Sequence, residues 1–147
     1  MRLKPRLLVL NQYYWPGVEA TGNLLAQLCE GLVEEFEVTV VTGRLRGHAE
    51  VPGRIFHNGV EIIRVRSTMF ERARLAPRAV NYVSFLLHAL IVSYRLRRPD
   101  ALLCMTDPPL LGNVALPVAR HFGVPLVVVS QDVFPEIAVE LQRLEQP

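Results

Sequence analysis

The stretch from Ala101 to Asp132 constrains the fold more than any other. It reads ALLCMT, DPP, LLGNVALPVARHFG and VPLVVVSQD, two short Leu- and Val-rich runs on either side of a segment of helical length. Uninterrupted apolar runs of this kind suit strands covered on both faces, as in parallel sheets wrapped by helices. Thr106, Asp107, Ser130, Gln131 and Asp132 cluster where the two runs end. Ligand sites of α/β sheets gather at the carboxyl ends of the strands, so these polar residues mark the first place to look for function.

The upstream chain repeats the pattern. Arg6–Leu10 (RLLVL), Glu37–Thr42 (EVTVVT) and Val60–Arg66 read as three further strands. Between the first two lies the loop Asn11–Gly22, followed by a helix with Leu24, Leu25, Leu28, Leu32 and Val33 at helical spacing and Thr21 as its expected N-cap. Its first turns carry no basic residue, which leaves its amides and dipole available to an anion. His57-Asn58-Gly59, between RIF and VEIIRVR, is a hairpin signal. Ala79–Leu96 reads as a long apolar helix stopped before Pro99, and Val133–Leu144 as the start of another.

Five strands joined by helices predict an α/β, Rossmann-like doubly wound, mainly parallel sheet with helices on both faces. Right-handed crossovers favour the strand order 3-2-1-4-5. The loops Asn11–Gly22 and Thr106–Leu110 then face each other across one crevice, with Ser130–Asp132 beside them. Gly17, Asp107 and Asp132 belong on that edge, and His57 and Gly59 on the opposite edge or flank.

At 147 residues the chain has the length of one domain. Its net charge of +2 is too small to argue for nucleic acid. Lys4 is the sole lysine, so the basicity is arginine. Cys29 and Cys104 lack CxxC partners and read as buried, reduced thiols suited to the cytosol. The longest apolar segment, Tyr82 to Tyr94, falls short of the about 20 residues that span a bilayer. A cytoplasmic chain, free or peripheral to the membrane, is the expectation.

The loop at Pro16–Gly22 is neither a GxGxxG fingerprint nor a Walker loop, although Gly17 and Gly22 would let backbone approach a phosphate closely. Asp107 can equally serve as an N-cap, and Glu136 as a first-turn carboxylate. No histidine–carboxylate pair, nucleophile elbow or metal motif is present, and His48, His57, His88 and His121 read as structural residues in loops or helices. A free-standing flavodoxin-like binding or regulatory module shares this fold, and so does a dinucleotide-binding domain.

The segments NQYYWPGVEATGNLLAQLCEGL, EVTVVTG, VEIIRVR and TDPPLLGNVALPVARHFGVPLVVVSQDVFPEIAVELQRL, in that order, resemble family 4 glycosyltransferases of the GT-B fold, specifically the bacterial exopolysaccharide and O-antigen type. The resemblance implies a retaining transferase that uses a nucleotide sugar, with no metal and no other cofactor. Gly17, Thr21 and Gly22 would face the donor diphosphate. Tyr13, Asp107, Gln131, Asp132 and Glu136 would line the acceptor side, where the acceptor is a saccharide or lipid-linked saccharide. Asp132 is a candidate catalytic residue. The resemblance also implies that residues 1–147 are the N-terminal, acceptor-side domain, inactive without a C-terminal donor-binding domain. The family's C-terminal signature, two glutamates separated by seven residues, does not occur here. Three departures stand out: Gly17 and Gly22 are apart where many members have Gly-Gly, Glu35-Phe36 replaces Gly-His, and Gln131-Asp132 replaces His-Asp. Arginines flanking Ala79–Leu96 suggest peripheral contact with the inner membrane.

Overall fold

The computed structural model describes residues 3–16, 20–43, 53–65, 75–105 and 111–129, with backbone alone at 20–21 and 75–78. Among these residues the chain runs β1 (Arg6–Leu10), α1 (Ala20–Leu32), β2 (Glu37–Thr42), β3 (Arg54–His57), β4 (Val60–Arg64), α2 (Leu75–Arg95), β5 (Ala101–Met105), α3 (Leu111–Phe122) and β6 (Leu126–Val129). The strands form one sheet in the order β3-β4-β2-β1-β5-β6. Every neighbouring pair is parallel except β3 with β4. The architecture is α/β and Rossmann-like.

The strand order differs from the expected 3-2-1-4-5 because the sheet has six strands, not five. Asn58 and Gly59 have φ of 51° and 84°, the two positive values that a tight hairpin turn of the primed type requires. Such a turn needs a strand on each side, and the incoming one is β3, paired antiparallel with Arg54 opposite Ile63 and His57 opposite Val60. Phe56 at 72% exposed shows that β3 is the outer edge. Setting β3 aside, the remaining five strands follow one another as β4-β2-β1-β5-β6, so β1 and β5 are neighbours.

Alternation along the central strands divides the core in two. Leu7 and Val9 of β1 join Val38, Val40, Val60, Ile62 and Leu103 beneath α1, which contributes Leu25, Ala26 and Cys29. Leu8 and Leu10 point the other way, with Val41, Leu102 and Cys104, towards Phe85 and Ala89 of α2 and Leu111, Ala115 and Val118 of α3. Fully burying each such Leu or Val contributes about 1.5–3 kcal/mol relative to leaving it exposed. The sheet is held because both faces are occupied. Cys29 and Cys104 are buried free thiols.

Several boundaries shift from their expected positions. Helix α1 begins at Ala20, which makes Thr21 its second residue and not its N-cap. Helix α2 begins at Leu75, a turn before Ala79, with Pro77 in the first turn, where a missing N–H leaves no intrahelical bond unmade. Helix α3 continues through Pro117. That proline and Asn113, whose carbonyl it leaves free, are both exposed, so water can serve the carbonyl. Strand β4 stops at Arg64, short of Arg66. The expected helix Val133–Leu144 lies outside the described residues.

Candidate ligand site at the carboxyl edge of the sheet

Strands β1, β2, β4, β5 and β6 run parallel and therefore end on one edge, at Leu10, Thr42, Arg64, Met105 and Val129. From β1 the chain enters Asn11–Pro16, and this segment is fastened to the neighbouring strand ends. The Asn11 amide donates to the Val41 carbonyl at 3.2 Å, and its Nδ2 donates to the Tyr13 carbonyl at 2.8 Å. The Gln12 carbonyl accepts from the Gly43 amide at 3.0 Å and from Thr42 Oγ1 at 3.0 Å. The Arg64 guanidinium donates through Nη2 to the Trp15 carbonyl at 2.8 Å. The Trp15–Pro16 peptide bond is cis.

Gly22 explains how α1 meets this segment. A Cβ on Gly22 would lie 3.0 Å from the Tyr14 nitrogen and 3.1 Å from the Tyr13 carbonyl carbon, so only glycine lets the first turn of α1 lie against that backbone. Helix start, Tyr13–Trp15 and Arg64 are thus stacked side by side at the edge.

The side chains here are buried, and many of their polar atoms lack partners. Asn11 and Thr42 are fully buried, Tyr14 is 1% exposed and Arg64 9%. Asn11 Oδ1, Gln12 Oε1, Tyr14 Oη, and Arg64 Nε and Nη1 make no hydrogen bond. Burial pushes the Tyr14 phenol well above the ordinary tyrosine range. The adjacent Cys29 and Glu30 push it further, while Arg64 opposes them. The Cys29 thiol approaches the phenol without closing a hydrogen bond of ordinary geometry. Burial also raises the Cys29 thiol itself, to about 12. Burial lowers the Arg64 guanidinium from its ordinary value, with Tyr14 acting the other way.

Of the residues singled out from sequence, the structure brings together Tyr13, half-buried on the loop, and Thr21 and Gly22, in the first turn of α1. Gly17, Asp107, Gln131, Asp132 and Glu136 lie outside the described residues, as do Thr106 and Ser130. His57 and Gly59 sit at the other end of the sheet, as expected: His57 pairs with Val60, the first residue of β4, and Gly59 packs on Val33. His57 is in a strand, however, not a loop or helix. Its ring stacks on Trp15, with centroids 3.5 Å apart.

Sequence reasoning missed Arg64, Tyr14 and Asn11. A signal for Arg64 existed: Val60, Ile62 and Arg64 share the face towards α1, so the arginine interrupts an apolar row where the strand ends. A Rossmann-like sheet with a polar, helix-capped carboxyl edge is a ligand-binding architecture. The chain matches the model of the glycosyl transferase 4-like domain over residues 20–146 and belongs to that family. The match supports the N-terminal domain of a GT-B glycosyltransferase. No curated protein matches the sequence.

Proposed function

We propose that this domain is the acceptor-side half of a retaining, nucleotide-sugar-dependent glycosyltransferase of bacterial surface polysaccharide synthesis. The family match over residues 20–146 carries the reading, and the neighbouring ends of β1 and β5 agree with it. In this proposal Gly17, Thr21 and Gly22 face the donor diphosphate. Tyr13, Asp107, Gln131, Asp132 and Glu136 line the acceptor side, with Asp132 the candidate catalytic group. Retaining transfer builds negative charge on the leaving diphosphate, and fixed amides at a helix start stabilise such charge without reorganising. Neither metal nor another cofactor enters the proposal. The donor sugar nucleotide is held mainly by a second, donor-binding domain. The test offers the chain alone a panel of nucleotide sugars and lipid-linked saccharides. Acceptor binding without turnover is expected; turnover by this domain alone, or failure to bind any acceptor, overturns the reading.

The proposed workplace is the cytoplasmic face of the inner membrane. Among the described residues no helix is long and apolar enough to cross a membrane. On α2, Phe85, Ala89 and Ser93 are buried, whereas Val80, Val83, Leu87, Ile91 and Tyr94 form an exposed row on the opposite side. The sequence from Arg72 to Pro99 holds no acidic residue, and Arg95, Arg97 and Arg98 are exposed at the end of the helix. Each basic residue near an anionic surface contributes about 1 kcal/mol. Flotation with anionic vesicles at low salt should carry the chain upward; its absence there removes the membrane contact from the proposal.

A further inference from the structure

The ring of His57 is gripped by three parts of the molecule. His57 is the last residue of β3, and its pairing with Val60 puts the side chain on the face of the sheet that α1 covers. Trp15, from the segment after β1, lies flat on the ring, with centroids 3.5 Å apart and planes 8° apart. Glu30 of α1 brings Oε1 to 3.7 Å from Nε2. Asn58, in the hairpin turn, donates through Nδ2 to the same Oε1 at 2.8 Å and lies 3.2 Å from Nε2. Trp15 in turn accepts Arg64 Nη2 at its carbonyl, at 2.8 Å. Its ring therefore rests near the start of β4 and its backbone is fixed at the strand's end.

This arrangement suits one protonation state of the ring. Neutral, Nε2 can accept one proton of the Asn58 amide while the other goes to Glu30. Protonated, both ring nitrogens are donors, so Nε2 faces a donor and its partner becomes the Glu30 carboxylate. The 3.7 Å separation is longer than a hydrogen bond. Closing it moves the ring, and with it the indole stacked on its face. The indole also attracts the charged ring, as its face attracts any cation within about 6 Å. The other titratable groups near this face, among the described residues, keep their charge near neutrality. Tyr14 and Cys29 are held protonated by burial, Arg64 stays cationic at the far end of β4, and Lys4 is bonded to the carbonyl of Val33, against which Gly59 packs. Arg54 and Glu61 occupy the opposite face of the sheet.

We propose that His57 is a positioning residue for the segment Asn11–Pro16, acting through Trp15 and switched by its own protonation. The inference rests on reading the carboxyl edge as the substrate side, and it makes substrate binding there depend on pH. His57 touches no substrate. It sets where the Trp15 ring lies, and the Trp15 backbone carries that setting to Arg64 and the loop. Trp15 is the chain's single tryptophan, so its emission reports this contact alone.

The experiment titrates the full chain from about pH 8 to about pH 5, the range in which histidine changes charge. It follows Trp15 emission and, by NMR, the His57 ring and the Gly43 amide, which is bonded to the Gln12 carbonyl. One step in Trp15 emission and in the Gly43 shift is expected, with the midpoint of the His57 ring. His57→Gln should abolish the step. Glu30→Gln, which removes the carboxylate that receives the charged ring, should shrink it. His88→Gln, on α2, should leave it unchanged. In the unsubstituted chain, Trp15 emission or a Gly43 amide that stays level while the His57 ring titrates overturns the proposal, whatever the variants do. A step that survives in His57→Gln overturns it too. No substrate enters the titration, so a step in a chain that binds no acceptor keeps the role of His57 and removes the transferase reading, and acceptor binding without the step does the opposite.

Discussion

The two ends of the sheet handle polar groups in opposite ways. Around the amino ends, charges are exposed and paired. Arg6 meets Glu37 at 3.7 Å, the Arg6 amide donates to Asp100 Oδ2 at 2.7 Å, and Lys4 Nζ donates to the Val33 carbonyl at 2.8 Å. Arg54, whose backbone lies opposite Ile63 towards the carboxyl end of β4, reaches back to bond Glu61, beside a groove that Arg6, Glu37 and Arg97 also line. At the carboxyl ends, Asn11, Gln12, Tyr14 and Arg64 are withdrawn from water, and each keeps at least one polar atom without a partner. Ser93 Oγ is the one further buried side-chain atom in that condition among the described residues. Leaving a buried polar group unsatisfied costs about 1–3 kcal/mol, whereas an exposed ion pair is worth about 0–1 kcal/mol. A domain selected for stability alone has no use for the first arrangement. Its concentration at the edge where α/β sheets bind ligands agrees with the ligand side proposed above.

Tyr14 offers the largest test of this contrast. Its ring is buried in the core beneath α1, and truncating a buried aromatic to alanine costs about 3–5 kcal/mol. Tyr14→Ala should therefore lose that much in urea unfolding. Tyr14→Phe keeps the ring and deletes a hydroxyl that has no partner, so it should leave stability unchanged or raise it by up to about 1 kcal/mol. A loss above about 1 kcal/mol in the phenylalanine variant means that the hydroxyl is satisfied, and the difference between the two edges shrinks accordingly.

A smaller effect should appear with pH. Burial raises the Cys29 thiol from 9.0 to about 12 and Cys104 from 9.0 to about 11, and it raises Tyr14 as well. Each group is neutral when protonated. Below the unfolded value both states hold the proton, and stability is independent of that group. Above it the unfolded chain ionises while the folded chain does not, so stability falls as pH rises through the window ending at the folded value. The loss is at most about 1.4 kcal/mol per pH unit for each group. Urea midpoints should decline from about pH 9 upward, and Cys29→Ala should decline more gently because Cys104 and Tyr14 remain. Midpoints that stay level from about pH 9 to about pH 11 would show that these groups reach solvent.

What could be read from the sequence follows the same division. The parallel strands were legible as continuous apolar runs: LLVL of β1 is buried on both faces, whereas LVVV of β6, expected to be covered likewise, lies at the sheet's edge and exposes Val127 and Val128. Strand β3 was not, because RIFH is short, lies at an edge and exposes Phe56, so only its Asn-Gly turn spoke for it. The start of α1 was blurred because Gly22 and Asn23 after Thr21 are poor helix formers while Ala20 before it is a good one, and threonine's side chain suits a cap without being obliged to be one. Gly22 was legible as a special position, yet its visible reason is contact with the Tyr13–Tyr14 backbone. Arg64 was hidden by its type. An arginine near a strand end is usually a solvated residue, and only pairing β4 between β2 and the outer β3 turns its position inward.

The smallest expected effect lies at Arg54–Glu61, and it guards the paired, exposed side of the comparison. The pair joins neighbouring strands, β3 and β4. Short contact alone invites the view that it anchors the hairpin. The Arg54 side chain is 65% exposed, however, against 16% for Glu61. A guanidinium in water surrenders little hydration on pairing, and holding a long side chain in one rotamer offsets part of the Coulomb gain. Arg54→Gln should therefore cost less than about 1 kcal/mol, and the cost should diminish further at high salt as screening weakens the attraction in the unsubstituted chain. Glu61, being the more buried partner, should cost more when Arg54 is removed than Arg54 does when Glu61 is removed, since a carboxylate left alone at partial burial keeps its desolvation penalty. If Arg54→Gln instead costs several kcal/mol independent of salt, the pair is effectively buried. The groove it shares with Arg6 and Glu37 then joins the carboxyl end in carrying expensive polar groups, and the orphaned atoms around Arg64 lose their standing as a marker of the ligand edge.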